Sequence, residues 1–149
     1  MSGKSLFIEQ TLFVKAPVGE VFRGLSDPSE LARWFLKSAR LPPRTGEDYE
    51  FVWKGGYRHE GLVLDFVRNR RLSLSWPNRL GKTTKWTKVT FTLSKEGRGT
   101  LLHLRHGGYP AVGRWIEVYG DSCSGWAYFL MNLKSVLENG HDLRSPKDS

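Results

Sequence analysis

The residues in this chain able to do more than pack are His59, His103, His106, Cys123 and a serine-bearing run at Gly120–Gly125. His103 and His106 are three apart, and on a strand an odd spacing turns two side chains to opposite faces, so they cannot share one metal ion. With a single cysteine, neither a structural zinc site nor an intramolecular disulfide is expected. Ser122 would be a nucleophile only with a histidine and a buried aspartate to activate it, and its surroundings have helical periodicity. The Gly-x-Ser-x-Gly spacing of a nucleophile elbow is absent. His106 shares its phase with Leu102 and Leu104 and should face inward; His59, on another strand, should approach the same interior. Such rings either hydrogen-bond to neighbours as core residues, or orient a ligand and move a proton near neutral pH. No set of residues requires catalysis, a cofactor or a metal.

Aromatic side chains are the strongest compositional feature. Six tryptophans and thirteen phenylalanines and tyrosines stand beside only two isoleucines. Trp34, Tyr49, Phe51, Trp53, Trp76 and Trp126 fall on inward-facing phases. Flat side chains either fill a core completely or leave a cavity walled by ring faces, which suits a planar apolar ligand.

The net charge of +8 is concentrated. Residues 56–105 hold eleven Lys and Arg against three acids, and the rest of the chain holds twelve of each. Such a middle could steer an acidic protein partner or protect strand edges from aggregation. Basic residues interleaved with Trp86 could also suit single-stranded nucleic acid, but no nucleic-acid signature accompanies them, so that partner is not expected. No apolar run approaches a membrane span and no signal-peptide pattern opens the chain. The lone cysteine suits a reducing compartment, so a cytoplasmic protein is expected.

The elements that must position these residues can be read from periodicity. Leu6 to Lys15 reads as a strand with Ile8, Leu12 and Val14 on one face. Ala16-Pro17 opens a short helix carrying Val18, Val21, Phe22 and Leu25, with Pro17 in the first turn. Asp27 is placed to cap a second short helix, with Pro28 at its first position and Trp34 at its end. The 40–46 segment reads as a loop. Five further strands are expected: around Tyr49–Trp53, Tyr57–Val67, Arg70–Trp76, Thr87–Leu93 and Thr100–His106. The 77–82 segment reads as a turn and Gly107–Pro110 as the end of the last strand. From about Gly113 to Asn139 the period becomes helical, with Ile116, Tyr119, Cys123, Trp126, Ala127, Leu130, Leu133 and Leu137 on one stripe. Gly120 and Gly125 should allow a kink or a close approach to the sheet, and Asp142–Ser149 reads as a loose tail. The whole, 1–149, is one α+β domain.

The order strand, two short helices, antiparallel strands and long closing helix resembles the helix-grip fold of the START-like (SRPBCC) superfamily. Within it the chain is similar to proteins like the C-terminal domain of the heat-shock protein 90 ATPase activator homologue. The resemblance spans about Phe7 to Arg144. It rests on Ala16-Pro17 with Val21-Phe22, on Trp34-Phe35, on His59-Glu60-Gly61 and on Leu72 to Trp76. It rests also on Gly99-Thr100 leading to Leu104–Tyr109, and on Gly125-Trp126 with Leu133-Lys134. It implies a curved antiparallel sheet of about six strands wrapped around a long C-terminal helix, with the mouth of an apolar cavity near Trp115 and Tyr119. One fold hosts many functions, and no catalytic motif comes with this one.

Three functions follow as expectations. The first is a non-enzymatic carrier or sensor of a small apolar or aromatic ligand. Its cavity would be lined by Phe22, Trp34, Tyr49, Phe51, Trp53, Val63, Trp76, His106, Tyr119, Trp126 and Leu130. The second is a protein-interaction module that stimulates a chaperone ATPase through its basic strands. The third, ranked last, is a polyketide cyclase or dehydratase-like enzyme using His59 or His106.

Overall fold

The computed structural model describes residues 4–144. Along the chain run β1 (Ser5–Val14), α1 (Val18–Ser26), α2 (Pro28–Trp34), β2 (Ser38–Arg40), β3 (Asp48–Val52), β4 (Arg58–Val67), β5 (Arg71–Leu80), β6 (Thr83–Glu96), β7 (Gly99–Pro110) and α3 (Trp115–Asn139). The seven strands form one curved antiparallel sheet in the order β1-β7-β6-β5-β4-β3-β2, with α3 packed on its inner face. This is the helix-grip architecture, with one strand more than the expected six. The additional strand is β2, three residues that pair with β3 through Ala39 opposite Phe51, too short to carry a periodic signal.

The two short helices follow from their caps. Asp27 accepts hydrogen bonds from the backbone N–H of Ser29 and Glu30, and Pro28 follows it at N1, as the sequence predicts. Pro17, by contrast, is the extended N-cap residue before Val18 rather than a member of the first turn. The buried Trp34 donates its indole N–H to Gly24 O at 2.8 Å, which ties α2 to α1.

Strand phases set the core. On β7, Thr100, Leu102, Leu104 and His106 all face inward and are fully buried. Leu72 and Leu74 of β5 and Val89, Phe91 and Leu93 of β6 meet them across the sheet, and Leu130, Leu133 and Val136 of α3 close the layer.

Four expectations need correction. β5 does not turn at Pro77 but continues to Leu80, and the turn is at Gly81-Lys82. Proline is tolerated there because β5 pairs with β4 only as far as Leu74 and has β6 alone beside it beyond that point. β7 likewise runs through Gly107 and Gly108 to Pro110, pairing with β1 across an irregularity at Leu6/Phe7. On α3, Ile116 and Ala127 lie on the solvent side, and a Cβ added at Gly120 or Gly125 would meet nothing within 4 Å, so neither glycine serves a close approach. Lastly, 142–144 is tied down. Asn132 bonds to Trp34 O, Asp142 and Leu143 N, while Arg144 reaches Ala32 O and Leu36 O at the C-terminal end of α2. The remainder of the proposed tail lies outside the described residues.

Candidate functional site

The inner layer is built around Phe35, which follows α2. Its ring lies 4.8 Å from Trp34, 5.4 Å from Trp53, 5.5 Å from Trp126 and 4.9 Å from Phe129, centroid to centroid. Phe51, Trp53, His59 and Trp76 continue the cluster toward β4 and β5, with His59 4.5 Å from Trp76 and 4.9 Å from Trp53. Periodicity does not mark Phe35 as a lining residue, because it sits outside any regular element; its adjacency to Trp34 is the available signal.

These rings fill the space between sheet and helix. The void among Leu25, Leu31, Trp34, Phe35, Phe51, Leu74, Trp76 and Phe91 is about 10 Å³, room for a single water at most. Of the eleven residues expected to line one cavity, Trp34, Tyr49, Phe51, Trp53, Trp76, His106 and Trp126 belong to the connected aromatic layer. Val63 and Leu130 are plain core. Phe22 instead packs edge-on against Phe66 and borders a separate surface concavity of about 630 Å³. Tyr119 donates its hydroxyl to Phe7 O at 3.0 Å and packs on Tyr109 near the start of α3.

His106 is held on both ring nitrogens. The Trp126 indole can only donate, so Nδ1 accepts at 2.9 Å and the proton resides on Nε2, which donates to Thr87 Oγ1 at 2.7 Å. Thr87 Oγ1 in turn accepts from Asn78 Nδ2 and donates to Trp76 O. Burial, with a smaller contribution from His59, lowers the His106 pKa to about 3, so the ring is neutral and committed to the core. Its hydrogen bonds leave no lone pair or proton to offer a ligand.

His59 is placed differently. The Tyr49 hydroxyl donates to Ser75 O, so it accepts from His59 Nε2 at 3.0 Å. Burial and then the nearby Arg79 charge lower the His59 pKa to about 3. Tyr49 is pushed well above the ordinary phenol range by the same burial.

His59 also lines a concavity of about 930 Å³, which opens where the sheet divides. Residues 58–62 of β4 pair with β3, whereas Val63–Val67 pair with β5; beyond Leu74, β5 leans on β6 alone. The resulting split is closed at its apex by Leu62 N donating to Ser75 Oγ and by the Tyr49 bond to Ser75 O. Only glycine fits there: a Cβ on Gly61 would stand 2.6 Å from Ser75 O and 2.7 Å from Tyr49 Cε1. One wall of the groove carries Pro77, Arg79, Thr84 and Trp86; the other carries Asp48, Arg58, Glu60 and Leu62. Trp86 is 54% exposed and stands directly opposite Pro77. The split was invisible in the sequence because it arises from which halves of two strands pair.

The basic residues do not form one surface. Arg70 and Arg71 lie at the β4–β5 turn, where Arg71 pairs with Asp65; Lys82 and Lys85 lie at the opposite end of β5, on the β5–β6 hairpin, and Lys88 stands opposite Ser75 midway along it. Among the described residues no cluster of His, Cys, Asp and Glu could hold a metal ion, and no helix is long and apolar enough to cross a membrane.

Comparison with known proteins bears on this geometry. The model of the family described as Activator of Hsp90 ATPase homolog 1-like protein matches residues 15–138. CalU16 from Micromonospora echinospora is 30% identical, with 93% of this chain and 78% of that one covered at a TM-score of 0.67. DynU16, a protein in the dynemicin biosynthetic locus, is 25% identical over 93% of this chain with a TM-score of 0.79, and this chain spans 49% of its length. The Aha1 protein from Colwellia psychrerythraea, solved in solution as a dimer, is 19% identical with a TM-score of 0.77, covering 91% of this chain and 98% of that one. No match is found among curated proteins. With the family model matching most of its length and the helix-grip fold in place, this chain belongs to the Activator of Hsp90 ATPase homolog 1-like family of the START-like superfamily.

Proposed function

We propose that this protein is a non-catalytic binding protein for a planar aromatic small molecule, taken up at the division between β4 and β5. The observation that carries the reading is the double membership of His59. At 2% exposure it belongs to the aromatic layer with Trp53 and Trp76, and it also forms part of the lining of the 930 Å³ groove. A flat molecule in the groove would therefore meet His59 and the exposed Trp86 indole, in a space within the usual volume range of small-molecule sites. The similarity to a protein of the dynemicin biosynthetic locus supports a small-molecule role. The packed interior argues that a ligand does not sit deep beside α3 unless side chains move aside. Both ring nitrogens of His106 are engaged, which weighs against its acting as a proton carrier.

A thermal-shift screen of flavonoids, polyketides, steroids and fatty acids tests this. Planar polycyclic members should raise the melting temperature, since binding to the folded state alone stabilises it, and Trp86→Ser should remove the rise. No shift from any class would overturn the reading.

A second reading, a protein-interaction module of the chaperone-activator kind, is favoured by family membership together with the basic hairpin of Lys82, Lys85 and Lys88. An acidic partner would bind there in a salt-sensitive manner.

A further inference from the structure

The groove between β4 and β5 has chemistry beyond His59 and Trp86, and its edges limit what can occupy it. On β5 the Ser75 carbonyl points across the split toward Tyr49, and Pro77 shares that phase. The free edge of β5 therefore lacks an N–H where an added strand would need one, so a peptide cannot extend the sheet through the groove. The occupant has to be held by side chains.

Those side chains are polarised. Arg79 lies on the β5–β6 wall, opposite Thr84 and one pleat from Trp86 on the same face. Asp48 and Glu60 lie on the β3–β4 wall. Among the described residues none of these three takes part in an ion pair, whereas Arg58 is engaged by Glu50 at 3.6 Å. A molecule lying across the groove would meet a free guanidinium at one end, free carboxylates at the other and an indole face on the Arg79 side.

We propose that the groove selects a planar aromatic molecule with an anionic group at one end, held by Arg79 beside Trp86, and a hydrogen-bond donor at the other, facing Glu60 and Asp48. Guanidinium–anion hydrogen bonds are charge-assisted and directional, so Arg79 fixes orientation while Trp86 supplies the stacking surface. Leu62, 44% exposed, extends the apolar strip on the far wall. This rests on the groove being the ligand site and adds the polarity of its ligand.

The test uses three probes of one shape: 5-aminonaphthalene-1-sulfonate, naphthalene-1-sulfonate and 1-aminonaphthalene. Affinities are measured by fluorescence titration on the wild type and on Arg79→Gln, Trp86→Ser and Glu60→Lys, each first checked for an unchanged melting curve. The aminosulfonate should bind tightest. Arg79→Gln should weaken both sulfonates by about tenfold while changing 1-aminonaphthalene by less than about twofold. Trp86→Ser should weaken all three, and Glu60→Lys should erase the preference for the aminosulfonate. If Trp86→Ser weakens all probes but Arg79→Gln discriminates none, the charge assignment fails and the groove stands as a binding site. If no probe binds, or binding ignores both variants, the groove reading fails with it.

Discussion

The Trp126 indole donates to His106 Nδ1 at 2.9 Å inside the core, joining the closing helix α3 to the last strand β7 through a neutral imidazole. That bond fixes the His106 tautomer, and through Thr87 it orders Asn78 and the Trp76 carbonyl. Asn78 of β5, Thr87 of β6 and His106 of β7 thus form one connected set.

The buried histidines set the acid response. Both folded pKa values lie near 3, below the ordinary histidine value, because burial disfavours the charged ring. The unfolded chain therefore binds more protons as pH falls from about 6.5 toward 3, and stability is lost across that window. Each histidine contributes a slope of up to about 1.4 kcal/mol per pH unit. Urea unfolding at several pH values should show full stability above about pH 6.5, declining below it. A flat profile between pH 6 and 4 would contradict this electrostatic picture.

Asp142 acts in the same direction by another route. Its carboxylate is held well below the usual range, chiefly by hydrogen bonds from Arg144, so the contact is present above the ordinary Asp pKa and lost as pH falls through the depressed one. Asp142→Asn should loosen Arg144 from Ala32 O and Leu36 O, seen as faster amide exchange at the end of α2 with little change in the sheet.

Packing of α3 is tested by truncation. Leu130 and Leu133 are almost wholly buried, and Leu→Ala at either should cost about 2–5 kcal/mol in denaturant unfolding. Wild-type midpoints for both would contradict the packing of α3 on the sheet.

Glycines separate two situations. Gly125→Ala enters open space within a helix and should stabilise by about 0.5–1 kcal/mol. Gly61→Ala has no room between Ser75 and Tyr49, so it should lower the melting temperature and disturb the apex of the groove. A neutral Gly61→Ala would show that the split is not closed as described, and a destabilising Gly125→Ala would contradict the open space beside that glycine.

Much of the fold was legible in the sequence because it rests on local signals. Asp27-Pro28 announces α2, alternation through Leu102, Leu104 and His106 fixes the inner face of β7, and the leucine steps announce α3. Pro77 misled because a proline suggests a turn when its neighbours in space are unknown; its position on an unpaired edge makes it compatible with a strand. The site was less legible for a related reason. Inward phase identifies Trp53 and Trp76 as core-facing but cannot say whether their rings enclose a space or fill it. The groove depends on two partial pairings of β4, and only the assembled sheet brings Arg79, Trp86 and Glu60 around it.

The proposed function turns on ligands entering at the β4–β5 division and not beside α3. A ¹⁵N–¹H correlation titration with 5-aminonaphthalene-1-sulfonate, following the backbone amides and the six tryptophan indoles, addresses it directly. Saturable shifts are expected at the Trp86 indole and at the amides of 58–62 and 79–86, with the Trp126 indole and the α3 amides of 126–133 unmoved. Shifts concentrated on Trp126, Leu130 and Leu133, with Trp86 unchanged, would contradict it and return the site to the interior.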